Sequence, residues 1–200
     1  MCIRDSFDPV VPALVDFFPT RVKDGETNYF AALAQAIETG HVDVDELLSG
    51  SYAGYVSDPF SIAAYTRLFR LVLANEKGAV LFHCSAGKDR TGTGTALLLA
   101  VLGVRPDLIY ADYLQTNANV VAQQAKALRS AAKYGRLSER TKRQIEDFLG
   151  VRPEWLDRAF KLIQARFGGI DRYATDVLRL DDSEIAKLRA MYLAPAAKAK

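Results

Sequence analysis

Residues 78–102 constrain this chain more than any other stretch. After Gly78 come Ala79-Val80-Leu81-Phe82, four apolar residues with β-branched and aromatic members, which read as a short buried strand. Residues 91–102 are nearly all apolar and read as a helix at the centre of the molecule. Between them runs His83-Cys84-Ser85-Ala86-Gly87-Lys88-Asp89-Arg90. A chain turning from strand to helix through so short a loop leaves backbone N–H groups without partners, and these converge at the positive end of the helix dipole. Such a cradle holds an anion, and phosphate fits it.

The side chains on this loop suit the same anion. Helix N-terminal donors and a nearby guanidinium favour the charged form of the Cys84 sulfur and lower its pKa. Arg90, with five residues between it and Cys84, can hold two phosphoryl oxygens bidentately while the thiolate attacks phosphorus in line. Water then hydrolyses the cysteinyl-phosphate, with the Thr91 hydroxyl placed to hydrogen-bond the departing thiolate. Ser85, Ala86, Gly87, Lys88, Asp89 and Arg90 form the substrate-binding loop, and Gly87 and Gly92 keep side chains out of its turns. His83, at the strand end, supports the loop rather than touching substrate. Asp89 is either an ion-pair brace or the acid that protonates the leaving group, which would have to be neutral at attack. Lys88 is either a solvated lysine or an additional cation for a polyanionic head group.

The rest of the chain reads as helix. Residues 28–38 form one candidate; Ser57 or Asp58 caps another, opened by Pro59 and carrying Phe60, Ala64, Leu68, Leu71 and Val72 at helical spacing. Further helices fall at 106–114, 119–133 and, capped by Ser138, 139–149. Pro153 opens a helix with Trp155, Ala159, Phe160, Ile163 and Phe167 as its core positions, and Asp181 with Glu184 makes a capping box for the last. Residues 10–18, interrupted and flanked by prolines, suit an edge strand or an extended loop. The sum is a helix-rich α/β fold.

Composition narrows the function. A formal charge of +2 over 200 residues gives little general attraction for nucleic acid or an anionic membrane, so an anion site has to be built locally. The longest apolar run, nine residues, is too short to span a bilayer, and the first residues lack the apolar segment of a secretory signal. Two cysteines make no disulfide framework; the expected setting is reducing and cytoplasmic, with export lacking a readable signal left open.

The string HCSAGKDRTG resembles the H-C-x5-R-T/S loop of cysteine-dependent protein tyrosine phosphatases, and in particular their bacterial tyrosine and phosphoinositide branch, where Lys and Asp precede the loop arginine. Weaker matches follow in order: Leu102-Gly103-Val104, the stretch from Asp112 to Asn117, Phe167-Gly168-Gly169 with Tyr173, and Leu188-Arg189. The resemblance implies a helix-rich α/β domain over 7–193 with a small, mainly parallel sheet, and a flexible tail at 194–200. It implies hydrolysis of phosphotyrosine, with phosphoserine, phosphothreonine or phosphoinositides as further substrates, and no cofactor or metal. Lysine inside the loop points to phosphoinositides. Conventional members carry the acid on a separate loop, where Asp24 is the alternative to Asp89. The basic residues Lys126, Arg129 and Lys133 share one helix face, either as solvated surface or as part of a lid that meets acidic substrate. Asp112 and Asn117 are expected to brace loops.

The family's N-F-R-D-like motif and D-L-R-like strand do not occur before Cys84, so the expectation is a chain shortened at its start, with residues 1–6 foreign to it. This motivates a second reading, a phosphate-binding pseudophosphatase or inactive fragment. Sulfur transfer through a Cys84 persulfide ranks third. A nucleotide-binding loop would need Gly where Phe82 stands and Ser or Thr at Asp89. A zinc site fails because His83 and Cys84 are adjacent, with no second Cys/His pair.

Overall fold

The computed structural model describes residues 29–133 and 135–193. α1 (Tyr29–Glu38) buries Leu33, Ala34 and Ile37. α2 (Val44–Ser57) begins where the Asp43 carboxylate accepts the N–H groups of Asp45 and Glu46. Asp58 then turns the chain: its N–H closes α2 on Gly54 O, and its side chain caps α3 (Pro59–Ala74) through the N–H groups of Phe60 and Ser61. Pro59 fits there because the first turn has no use for its missing N–H.

α4 (Asp89–Leu102) starts two residues before the sequence boundary and stops at Gly103, whose φ of 86° suits glycine. α5 (Pro106–Asn119) runs a turn beyond its expected end, and α6 (Val121–Ala132) follows after Val120. α7 (Glu139–Leu149), capped by Ser138, and α8 (Pro153–Phe167) match their start and stop signals. A short turn, α9 (Ile170–Arg172), leads into a π-helical turn at Tyr173–Val177, and α10 (Asp182–Tyr192) opens on the Asp181–Glu184 capping box.

α2 is the central element and packs chiefly along α8, where Trp155 is fully buried and donates its indole N–H to Asp45 Oδ1 at 2.6 Å. Ala159 and Ile163, on the same face of α8, are buried as their spacing predicts, while Phe160 and Phe167 pack at its margin. Tyr52, Phe69, Tyr173 and Leu97 are the other large buried groups, drawn from α2, α3, the π turn and α4. Tyr173 donates to Val56 O at 3.0 Å, so its burial leaves no hydroxyl unsatisfied.

The expected α/β architecture is corrected here. The described residues hold no strand and no sheet; they are helices joined by loops. Residues 79–82 lack a ladder partner among the described residues, and a strand exists only through the hydrogen bonds of a neighbour. Nor is the segment buried on both faces. Val80 and Phe82 pack on the core while Ala79 and Leu81 face outward, Leu81 at 74% exposure. The edge strand or loop expected at 10–18 and the tail at 194–200 lie outside the described residues. Among those described, no helix is long and apolar enough to cross a membrane.

Because Asp58 caps α3, Asp58→Ala is expected to lower stability by about 1 kcal/mol. A urea denaturation series should show the midpoint moving down with an unchanged slope.

Candidate active site

The loop rises from the half-buried Phe82 and enters α4 at Asp89, so the first turn of the helix looks into it. Lys88, at the N-cap, offers no side-chain cap. Of the N–H groups at this end, that of Thr91 serves a group seated in the loop. Cys84 Sγ is such a group. Burial alone would push its thiol up, but the Thr91 hydroxyl, the N–H groups of Thr91 and Gly87 and the positive charge of Arg90 together hold it below its ordinary value. Thr91 Oγ1 is itself buried without a well-formed hydrogen bond among the described residues, so the sulfur is its electrostatic partner and a thiolate would complete the bond.

Ser85, Ala86 and Gly87 are exposed and leave the mouth of the loop open, and Gly87 sits at φ 70°, where a side chain would be strained. Gly92 has a different reason to be glycine: a Cβ there would lie 3.0 Å from the ring of Tyr113. His83 is exposed, with Nδ1 3.0 Å from Cys84 O, a contact that suits loop support.

Lys88 and Asp89 turn inward. Lys88 is 6% exposed; its ammonium donates to Asp89 Oδ1 and to Gly150 O, each at 2.9 Å, and lies 5.8 Å from the centroid of the Trp155 ring. It is not a solvated lysine. Asp89 Oδ1 also accepts the Tyr52 hydroxyl at 2.9 Å, and Tyr52 in turn accepts from Tyr113 at 2.7 Å. Burial first, then the Asp89 charge, pushes the Tyr52 hydroxyl far above its ordinary range, which keeps it a donor. Of the two roles expected for Asp89, the ion-pair brace is the one these contacts describe.

Several groups at this site were not found in the sequence reading. Tyr65 donates to Arg90 O at 2.9 Å and so fixes the backbone of the arginine. Tyr55 is close enough for its hydroxyl to feel the charges of Asp89, Arg90 and Cys84. Tyr52 and Tyr55 stand on α2, a helix the sequence reading did not place. Its signal was present in Asp43 as a cap and in the spacing of Val44, Leu48, Tyr52 and Tyr55, but Ser49-Gly50-Ser51 and Gly54 obscure it with poor helix formers.

Asn117 braces as expected: its amide donates to Val151 O and accepts from Val151 N, both at 2.9 Å, holding the joint whose Gly150 carbonyl receives Lys88. Asp112, by contrast, is exposed, and its side chain makes no hydrogen bond among the described residues. Lys126 and Arg129 are exposed on α6, and Lys133 just past its end; the helix packs against α1 and α7. Asp24 lies outside the described residues.

A thiol held toward its anion, the N-terminal turn of α4 and the charge of Arg90 thus meet in one loop. Residues 9–194 match the tyrosine phosphatase family, and the chain belongs to it. Among its relatives is a protein of Cupriavidus necator, provisionally named a tyrosine-protein phosphatase, which is 41% identical over 58% of this chain and 40% of its own length. The triple specificity protein phosphatase PtpB of Mycobacterium tuberculosis is 34% identical over 70% of this chain and 53% of its own. A tyrosine-protein phosphatase of Nostoc commune is 52% identical over a shorter stretch, 20% of this chain and 14% of the relative. The chain thus spans about half the length or less of the curated relatives it matches.

Three outcomes follow from this geometry. Alkylation of Cys84 by iodoacetamide should persist to lower pH than that of a free cysteine, because a lowered pKa keeps the thiolate until pH falls through it. Thr91→Ala should move that titration upward. Lys88→Met should strand the Asp89 carboxylate in a buried setting and cost about 3–5 kcal/mol in a denaturation series.

Proposed function

We propose that the chain hydrolyses phosphomonoesters through a cysteinyl-phosphate on Cys84, with phosphotyrosine as the principal substrate. The observation that carries this reading is the convergence on one sulfur of the Thr91 hydroxyl, the Thr91 and Gly87 N–H groups and the Arg90 charge. Those donors stabilise negative charge at the floor of the loop, where an incoming phosphoryl group would meet the nucleophile. The Cys84 thiolate attacks phosphorus as the ester P–O bond breaks and the leaving oxygen takes a proton. Water then attacks phosphorus, the S–P bond breaks, and Thr91 receives the returning thiolate.

Arg90 clamps the equatorial oxygens, with Ser85, Ala86 and Gly87 forming the loop around them. The Asp89 oxygen that accepts from Lys88 and Tyr52 is committed to the ion pair, which favours Asp24 as the acid. Lys88, held inward, serves the loop's shape and adds a positive charge behind it. The relative named for triple specificity supports a substrate range broader than phosphotyrosine alone, with phosphoserine, phosphothreonine and phosphoinositides as the candidates. The second reading is phosphate binding without turnover, which the same anion-holding loop would also permit.

Release of phosphate from an aryl phosphate in the presence of a chelator separates the two. Turnover should be blocked by vanadate, abolished in Cys84→Ser and reduced at least about a hundredfold in Arg90→Lys, which loses the bidentate clamp. Asp24→Asn, rather than Asp89→Asn, should flatten the alkaline limb of the pH profile. Vanadate binding with no phosphate release would favour the pseudophosphatase.

A further inference from the structure

The charge of this chain is unevenly placed. Residues 126–143 hold seven Lys and Arg against the single acid Glu139, a block at +6 in a chain of formal charge +2. Folding neutralises little of it. Arg140 pairs with Asp43 at 3.1 Å and Lys142 with Glu139 at 2.6 Å, while Lys126, Arg129, Lys133 and Arg136 are exposed and form no ion pair among the described residues. Like charges held this close repel one another, and an anionic partner relieves that cost.

The block has a shape as well as a sign. Arg129 and Arg136 line one groove of about 720 Å³ between the end of α6 and the start of α7, together with the Lys142–Glu139 pair and the apolar Leu128, Ala132 and Leu137. A concave site with cations beside aliphatic side chains suits a chain that alternates acidic and apolar residues. A flat bilayer would reach only its rim.

The groove is also set apart from the Cys84 loop. It lies at the N-terminal end of α7, whereas Lys88 is tied to Gly150 just past the C-terminal end. Eleven helical residues separate the two by about 16 Å, which an extended peptide covers in about five residues.

We propose that the α6–α7 groove docks an acidic segment of the phosphorylated protein on which the Cys84 loop acts, at least about five residues from the phosphorylated side chain. This rests on the phosphatase reading for its substrate but not for its binding. The test uses the full chain and three probes: an unphosphorylated peptide alternating Glu and Leu, a phosphotyrosine peptide carrying that segment about six residues away, and an aryl phosphate.

Arg129→Glu combined with Arg136→Glu should weaken binding of the unphosphorylated peptide at least about tenfold by fluorescence anisotropy and raise KM for the extended phosphopeptide comparably. The aryl phosphate kcat/KM should stay within about twofold, and thermal unfolding should be unchanged because both side chains are exposed. Peptide binding indifferent to the charge reversal, or an equal loss on both substrates, would overturn the proposal. So would capture of the chain by phosphatidylserine vesicles with no peptide affinity. If the aryl phosphate is not turned over, the phosphatase reading fails, while the anisotropy arm still decides the groove.

Discussion

The buried contact between Lys88 and Asp89 is what the active-site loop stands on. Two adjacent residues place opposite charges in the interior, and desolvating such a pair costs several kcal/mol per ion unless further partners take up the remaining donors and acceptors. Here they do: Gly150 O takes one ammonium proton, the Trp155 ring lies near the cation, and Tyr52 donates to the carboxylate. Each of those partners comes from a different helix or joint. The loop is thus shaped from beneath by α2, α8 and the turn after α7, while its exposed surface stays free for chemistry.

How much of this could be read in the residues depends on how local the cause is. Caps and breakers act within a few positions, so Asp58 with Pro59, Ser138, Pro153 and the Asp181–Glu184 box marked their helices correctly. The Cys84 to Thr91 segment is also local: its spacing alone puts hydroxyl, thiol and guanidinium in one loop. The brace is not local. Tyr52 meets Asp89 across 37 positions and Lys88 meets Gly150 across 62, separations at which spacing carries no signal. α2 was lost because its glycines and serines mask a buried face that only α8 makes sense of.

The sheet was expected for a sound reason and is absent among the described residues for an equally physical one. Ala79 to Phe82 has the composition of a strand, yet composition describes only one edge of a ladder, and no strand among the described residues pairs with it. What fixes the segment instead is its alternation: Phe82 reaches inward, its ring 3.5 Å from where a Cβ on Gly94 would stand, and this seats the loop at the head of α4. Helix packing does the work that strand pairing was expected to do.

The Asn117 amide grips both backbone groups of Val151, the neighbour of the carbonyl that holds Lys88. The cradle around Cys84 therefore has no private stability. Any fluctuation that parts α5 from the α7–α8 corner also slackens the tether behind Cys84, so breathing at a joint far along the chain and transient loss of the anion pocket are one motion.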